Sequence, residues 1–105
     1  MKRDAMTCPA EQTLALIGGR WKVVVLYRLL DGPKRFSELK RELGGITQKM
    51  LTQQLREMEA DELVNRKVFA QVPPKVEYSL TARGKSLKPI VDAMCRWGEG
   101  CKRAR

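Results

Sequence analysis

A mostly helical domain carrying one β-hairpin, α+β with α dominant, is the fold class this sequence predicts. Three observations predict it. Apolar residues recur at helical spacing through the first part of the chain; from Val64 to Leu80 that spacing gives way to alternation; and helical spacing returns from Ala82 onward. The order of a polar-faced helix, Ile46 to Glu62, followed directly by a basic hairpin, Val64 to Leu80, matches a winged helix-turn-helix. In that arrangement one element enters the major groove of DNA and the next lies beside it.

The elements follow in chain order. Cys8-Pro9 opens a short helix at 8–17, with Leu14, Leu16 and Ile17 apolar, and Gly18-Gly19 closes it. Trp21 to Leu30 is apolar almost all round and too long for a typical buried strand, which predicts a central buried helix. Asp31-Gly32-Pro33 stops it. Phe36, Leu39 and Leu43 then show the i, i+3, i+7 spacing of a surface helix, and Gly44-Gly45 supplies the turn before the next one.

In that next helix Leu51, Leu55 and Met58 recur on one face, with Thr47 as N-cap. At about 100° per residue, Lys49, Thr52, Gln53, Arg56 and Ala60 point the other way, and Gln48 sits at the exposed N-terminal end. Glutamine matches adenine, lysine and arginine reach guanine or phosphate, and threonine touches a base edge or a thymine methyl. Gln48, Lys49, Thr52, Gln53 and Arg56 are therefore the candidates for base readout. An ordinary solvated helix face is the plain alternative; the turn before it and the hairpin after it favour the reading face.

In the hairpin, Val76, Tyr78 and Leu80 alternate with Lys75, Glu77 and Ser79, and Val64, Arg66, Val68, Ala70 and Val72 alternate more loosely, so one face should pack and one be wet. Pro73-Pro74 fits an exposed tip. Arg66, Lys67 and Lys75 on this wing, with Arg35 and Ser37 at the start of the preceding surface helix, are the candidates for DNA backbone contact. Thr81 caps a last helix from Ala82 to about Lys102, bent at Pro89. Its apolar stripe, Leu87, Ile90, Val91, Met94 and Trp97, lies outside the helix-turn-helix core and needs another surface; a symmetry mate, helped by Leu14 of the first helix, is the surface expected, and a helix folded back on its own domain in a monomer is the alternative. Cys95 is expected to be a core-packing residue.

The domain layout that follows is one winged helix-turn-helix over 1–105, with dimer helices at 8–17 and 82–102, the helix-turn-helix core at 21–62 and the wing at 64–80. Composition agrees with it. The chain has 105 residues and a formal charge of +9, which favours a polyanion partner, with double-stranded DNA first among them. The excess is spread out, so charge alone does not locate the face; residues 81 to 105 carry seven Lys/Arg against Asp92 and Glu99. No apolar stretch approaches the roughly 20 residues of a membrane span, and the Met1 start leads into no secretory segment. The expectation is a soluble cytoplasmic protein with no membrane partner. Cys8, Cys95 and Cys101 make an odd set, which suits thiols in a reducing compartment.

The chain has no histidine, so Cys-His and Ser-His-Asp arrangements are excluded. Gly18-Gly19 and Gly44-Gly45 lack the context of a phosphate loop. No catalytic residue, metal or cofactor is expected. Two classes remain: a dimeric sequence-specific DNA regulator, and a winged-helix adaptor that binds protein or RNA.

Several motifs in fixed order resemble the HxlR family of bacterial winged-helix regulators, also called DUF24, within the MarR-like group. They are Cys8-Pro9, Gly19-Arg20-Trp21-Lys22, Arg35-Phe36-Ser37-Glu38-Leu39, Lys49 to Met58, Val76 to Gly84 and Trp97-Gly98. The resemblance spans roughly residues 8 to 100. It implies a homodimer joined through its terminal helices, binding an inverted-repeat operator as repressor or activator. It also implies a sensing thiol at Cys8, since a subset of the family responds there to small electrophiles or oxidants.

Cys8 has a physical case of its own. As the residue before Pro9 it caps a helix N-terminus, which favours a thiolate, and Lys2 and Arg3 add positive charge nearby. Modification there, or a bridge to Cys101 near the end of the last helix, would shift the angle between two reading heads. Cys8 and Cys101 are the redox-sensing candidates. A small half-exposed residue without a role is the alternative for Cys8.

Overall fold

The computed structural model describes residues 8–103, and the side chains of 8–101. Lys2 and Arg3, expected to lie near Cys8, fall outside the described residues. The first helix, α1 (Pro9–Ile17), starts with Cys8 in an extended cap conformation, and the Glu11 carboxylate accepts a hydrogen bond from the Cys8 N–H at 3.0 Å. Proline at the first helical position has no N–H to leave unpaired. The helix ends where the Gly18 N–H bonds to the Leu14 carbonyl.

The next helix, α2 (Lys22–Leu29), buries Val25, Leu26 and Leu29. It is not buried all round, as its composition suggested. Val24 and Tyr27 are 37% and 44% exposed, because only one side of the cylinder meets the rest of the domain. After the Asp31-Gly32-Pro33 stop the chain forms a two-residue strand, β1 (Lys34–Arg35), and then α3 (Phe36–Leu43). The Arg35 N–H donates to the Glu38 carboxylate at 2.8 Å, and Leu39 is fully buried.

Gly44 and Gly45 both adopt positive φ, +55° and +76°, so the chain reverses sharply between α3 and α4 (Gln48–Ala60). Ile46, expected inside the fourth helix, precedes it and is buried in the core. Thr47 caps α4, its Oγ1 accepting from the Met50 N–H at 3.0 Å. Leu51, Leu55 and Met58 are buried as their spacing predicted; truncating any one to alanine would cost about 2–5 kcal/mol. Beyond Ala60, Leu63 N–H bonds to Met58 C=O and Glu62 N–H to Glu59 C=O, the pairing of a Schellman stop, with Glu62 at φ +62°. Glu62, expected as the last helical residue, is thus the residue that ends the helix.

The hairpin is β2 (Val64–Phe69) with β3 (Lys75–Leu80), and β1 joins the far side of β3, giving the antiparallel order β1-β3-β2. That third strand is too short to leave a period in the sequence. Packing is confined to the base of the hairpin: Val64, Tyr78 and Leu80 are buried, whereas Val68 and Val72 are 53% and 99% exposed. The looser alternation on the first strand therefore marks a projecting arm rather than a second packed face.

The C-terminal helix is two helices, not one bent one. Thr81 caps α5 (Ala82–Lys85), and α6 (Lys88–Arg103) begins afresh after Ser86-Leu87. Pro89 causes the restart: in the first turn of α6 its missing N–H costs no bond, whereas mid-helix it would orphan the Lys85 carbonyl. The core runs from Ile17 through α2, α3 and α4 to the hairpin base and to Val91 of α6. Among the described residues no helix is long and apolar enough to cross a membrane.

Candidate nucleic-acid interface

Three inward anchors on α4 leave its opposite face free. Gln48, Lys49, Thr52, Gln53 and Arg56 line one shallow concavity on that face, so the structure brings all five readout candidates together. Gln48, Lys49, Gln53 and Arg56 are exposed, and Thr52 is half-buried. The Thr52 hydroxyl donates to the Gln48 carbonyl at 2.8 Å, which commits its proton and leaves the oxygen's lone pairs and the methyl group to offer a base. Ala60 is exposed one turn past the concavity.

Two further residues control this face and were absent from the sequence-based set. The Glu57 carboxylate accepts from the Lys22 ammonium at 2.7 Å through Oε1 and from the Gln53 amide nitrogen at 3.3 Å through Oε2. The hydrogen bond from Lys22, then that from Gln53, holds the Glu57 carboxyl below the usual carboxylate range. Lys22 sits at the N-terminus of α2, where the helix dipole disfavours a cation, so a carboxylate from α4 is its natural counter-charge. The i, i+4 spacing of Gln53 and Glu57 was available in the sequence. Lys22 was hidden in a segment read as apolar.

The backbone-contact candidates divide between two faces of the sheet. Directly opposed residues of an antiparallel ladder share a face. Arg35, Glu77 and Lys67 are partners across the three strands and make one row; Lys34, Tyr78 and Arg66 make the next row, on the other side. Arg66 and Lys67 therefore do not form one cluster. Lys75 is engaged locally: its ammonium lies 3.5 Å from Glu77 and 4.6 Å from the centre of the Phe69 ring, over which Lys67 also sits at 4.9 Å. Arg35 and Ser37 are exposed at the start of α3. The Glu38 carboxyl is held low by the Arg35 N–H bond and then by the charges of Lys34, Arg35 and Arg41. Residues 70–74 at the wing tip carry no charge.

The terminal helices leave a separate apolar surface. Leu14, Ile90, Met94 and Trp97 are 63%, 40%, 49% and 75% exposed, and Leu14, Ile90 and Met94 line a common groove with Ile17 and Val23. Two expected members of that surface are corrected. Val91 is 1% exposed within its own domain, and Leu87 packs against the same core, so neither has much area left for a partner. The period of three to four mixed Val91, on the inward side of α6, with the outward Ile90 and Met94, and ran on into Leu87, which precedes α6.

All three cysteines are free thiols. Cys8 is exposed at its helix cap with Glu11 as the described charge beside it, and Cys101 is half-buried near the end of α6. Cys95, expected in the core, is exposed instead and lines a cleft with Arg20, Trp21, Tyr27 and Arg28. It lies one turn after Val91 on α6, at the edge of the helix that borders this cleft.

Comparison with known proteins gives a consistent answer. The family model described as HxlR-like helix-turn-helix matches residues 16–104. The HTH-type transcriptional regulator YkvN of Bacillus subtilis (strain 168) is 61% identical over 92 residues, covering 88% of this chain and 78% of the relative. Among solved structures, the redox regulator HypR in its oxidized form superposes with a TM-score of 0.85 at 58% identity, over 89% of this chain and 96% of that one. The reduced form of the transcriptional regulator YodB from B. subtilis does so with a TM-score of 0.77 at 40% identity, over 90% and 93%.

Proposed function

Because the chain belongs to the HxlR-like helix-turn-helix family, we propose that it is a cytoplasmic transcriptional regulator that binds an inverted-repeat operator in double-stranded DNA as a homodimer. The observation that carries this reading is the outward face of α4, where Gln48, Lys49, Thr52, Gln53 and Arg56 share one concavity above a fully buried Leu51-Leu55-Met58 stripe. Donors, acceptors and a methyl group on one exposed helix are what base-edge readout in a major groove needs. Arg35, Ser37 and Lys67 flank that helix as phosphate contacts, with Arg66 serving from the other face of the wing and Lys75 in a lesser role because Glu77 already holds it.

Dimerisation is supported by the exposed apolar stripe of Leu14, Ile90, Met94 and Trp97, a larger apolar patch than a lone domain of this size needs to show. The two-fold assembly would present two α4 helices about 34 Å apart, matching successive major grooves. Cys8 is the thiol through which an oxidant or small electrophile acts on the dimer, with Cys101 as the second thiol when a bridge forms. This is supported by the exposure of Cys8 and by the structural likeness to HypR, a redox regulator.

Affinity for duplex DNA measured against salt tests the reading. A regulator with several phosphate contacts per dimer loses affinity with a log-log slope of about −5 to −9 and selects a defined site from a random pool. A shallow slope with no selected site would overturn it in favour of an adaptor for protein or RNA.

A further inference from the structure

Gln53 does not stand free on the reading face. Its amide has two ends of opposite character, a carbonyl that accepts and an NH2 that donates, and free rotation about the last torsion offers a base either one. A carboxylate can only accept. Glu57 Oε2, 3.3 Å from Gln53 Nε2, therefore selects the NH2 end and turns Oε1 away from itself. Glu57 is in turn tied through Oε1 to Lys22 at 2.7 Å, a residue of another helix whose side chain is only 12% exposed. The orientation of the Gln53 amide is thus referenced to the body of the domain, not to its own flexible chain.

We propose that Glu57 is a positioning residue for base readout: with Lys22 it holds the Gln53 amide so that Oε1 and the remaining N–H face the groove, a pattern that fits adenine and rejects guanine. Adenine offers its N6 amino hydrogens and N7 acceptor side by side, which an acceptor-donor pair matches; guanine offers O6 and N7, two acceptors, and would set its O6 against Oε1. With the tie to Glu57 gone, the amide can turn over and present N–H to O6. Glu57 itself reads nothing, since both its oxygens are occupied by Lys22 and Gln53.

The inference rests on the DNA-regulator reading, and the experiment separates the two. Duplexes selected from a random pool by the wild-type chain define the site, and wild type, Glu57→Gln and Glu57→Ala are then titrated on that site and on a copy with adenine replaced by guanine at each position. Glu57→Gln keeps shape and helix propensity while giving residue 57 an NH2 of its own to offer Oε1 of Gln53. We expect the preference for adenine over guanine to fall about tenfold at one base pair per half-site in both variants, with the other positions unchanged. In a Gln53→Ala background the same change at Glu57 should leave that base pair unaffected. A purely structural role would lower affinity for all sites alike, with no change in which base is preferred at any position. Selection of an identical motif by Glu57→Gln, or an equal loss on every sequence, overturns the positioning role and leaves the regulator standing; failure of the wild type to select any duplex overturns both.

Discussion

Gly84 lies so close to the Leu63 carbonyl that a β-carbon on it would come within 2.2 Å of the oxygen. The contact is part of a clasp on the end of the reading helix. The Asp61 carbonyl accepts from the Arg83 guanidinium at 3.1 Å, the Glu62 carbonyl from the Thr81 hydroxyl at 2.6 Å, and the Leu63 carbonyl from the Thr81 N–H at 3.1 Å. These are the carbonyls just past α4 that no helical turn can satisfy. Gly84→Ala should destabilise the domain by about 2–3 kcal/mol, since neither backbone can yield without breaking the clasp. Urea melts would show it as a lowered midpoint; an unchanged midpoint would mean the approach is not constrained.

Glu62 is the converse case. Its φ of +62° places a side chain in the left-handed region, where an L-residue is about 1–2 kcal/mol less stable, and its side chain is exposed. Glu62→Gly keeps the carbonyl that Thr81 needs and removes that penalty, at the cost of extra freedom in the unfolded chain. A net gain of about 0.5–1 kcal/mol is expected in the same melts. A loss of stability would show that the Glu62 side chain contributes more than its backbone strain takes away.

What the sequence made legible follows from how the signals arise. Leu51, Leu55 and Met58 lie on one side of a helix because burial imposes a 3.6-residue period, and the same period isolates the reading face opposite them. The hairpin was legible from its alternation and its Pro73-Pro74 tip. β1 was not, because two residues cannot display a period and their pairing with Tyr78 and Glu77 is long-range. Val24 and Tyr27 were misread because an apolar residue carries no mark of whether its own domain or a second copy covers it. The split between α5 and α6 was signalled by Pro89, but one proline is compatible with a kink or with a new first turn, and tertiary packing of Leu87 and Val91 chose the second. The Lys22-Glu57-Gln53 chain joins helices far apart in sequence, so periodicity could supply only its Gln53-Glu57 half.

Acid should act through two carboxylates. The pKa of Glu38 is lowered chiefly by the Arg35 N–H bond, and that of Glu57 by the Lys22 and then the Gln53 hydrogen bond. A depressed folded-state pKa means the contribution is complete above the unfolded carboxylate value of about 4.5 and is lost as pH falls through the lower folded value. Stability of the wild type should therefore hold from pH 7 to about 5 on account of these groups and decline below. In a Glu38→Gln, Glu57→Gln double variant the decline below pH 4.5 should be shallower. Parallel acid limbs in urea midpoints taken at stepwise pH would rule out this linkage.

Cys8 sits beside the proposed pairing surface. It is exposed, it caps α1, and α1 borders the groove that holds Leu14, Ile90 and Met94. Diamide takes two electrons from a pair of thiols and leaves a disulfide, and in the proposed dimer a Cys8–Cys101 bond would tie one subunit's α1 to the other's α6. Cys8→Ser should bind the selected duplex as tightly as wild type under reducing conditions and keep binding after diamide, while the wild type loses affinity by tenfold or more, about 1.4 kcal/mol. Equal sensitivity of the two proteins would move the switch elsewhere. Non-reducing gels of Cys101→Ser tell whether Cys101 is the second thiol: the crosslinked band should vanish.

The apolar stripe gives the sharpest test of assembly, because its members are exposed in the single chain and can be changed without touching the core. Met94 is 49% exposed beside Ile90 and Leu14, whereas Val91, one step around α6, is fully buried. Met94→Glu places a charge at the centre of the proposed interface, and burying an unpaired carboxylate there would cost several kcal/mol per subunit. Sedimentation should find wild type as a dimer and Met94→Glu as a monomer at the same micromolar concentration, with helix content and melting of the isolated domain little changed. On DNA the variant should lose about a hundredfold on an inverted repeat yet bind a single half-site as wild-type monomers do, because linking two heads converts the second contact into an intramolecular one. Were Met94→Glu to remain dimeric, the pairing surface would lie elsewhere, and the exposed cleft of Val24, Tyr27 and Cys95 on the other flank of α2 would be the next face to charge.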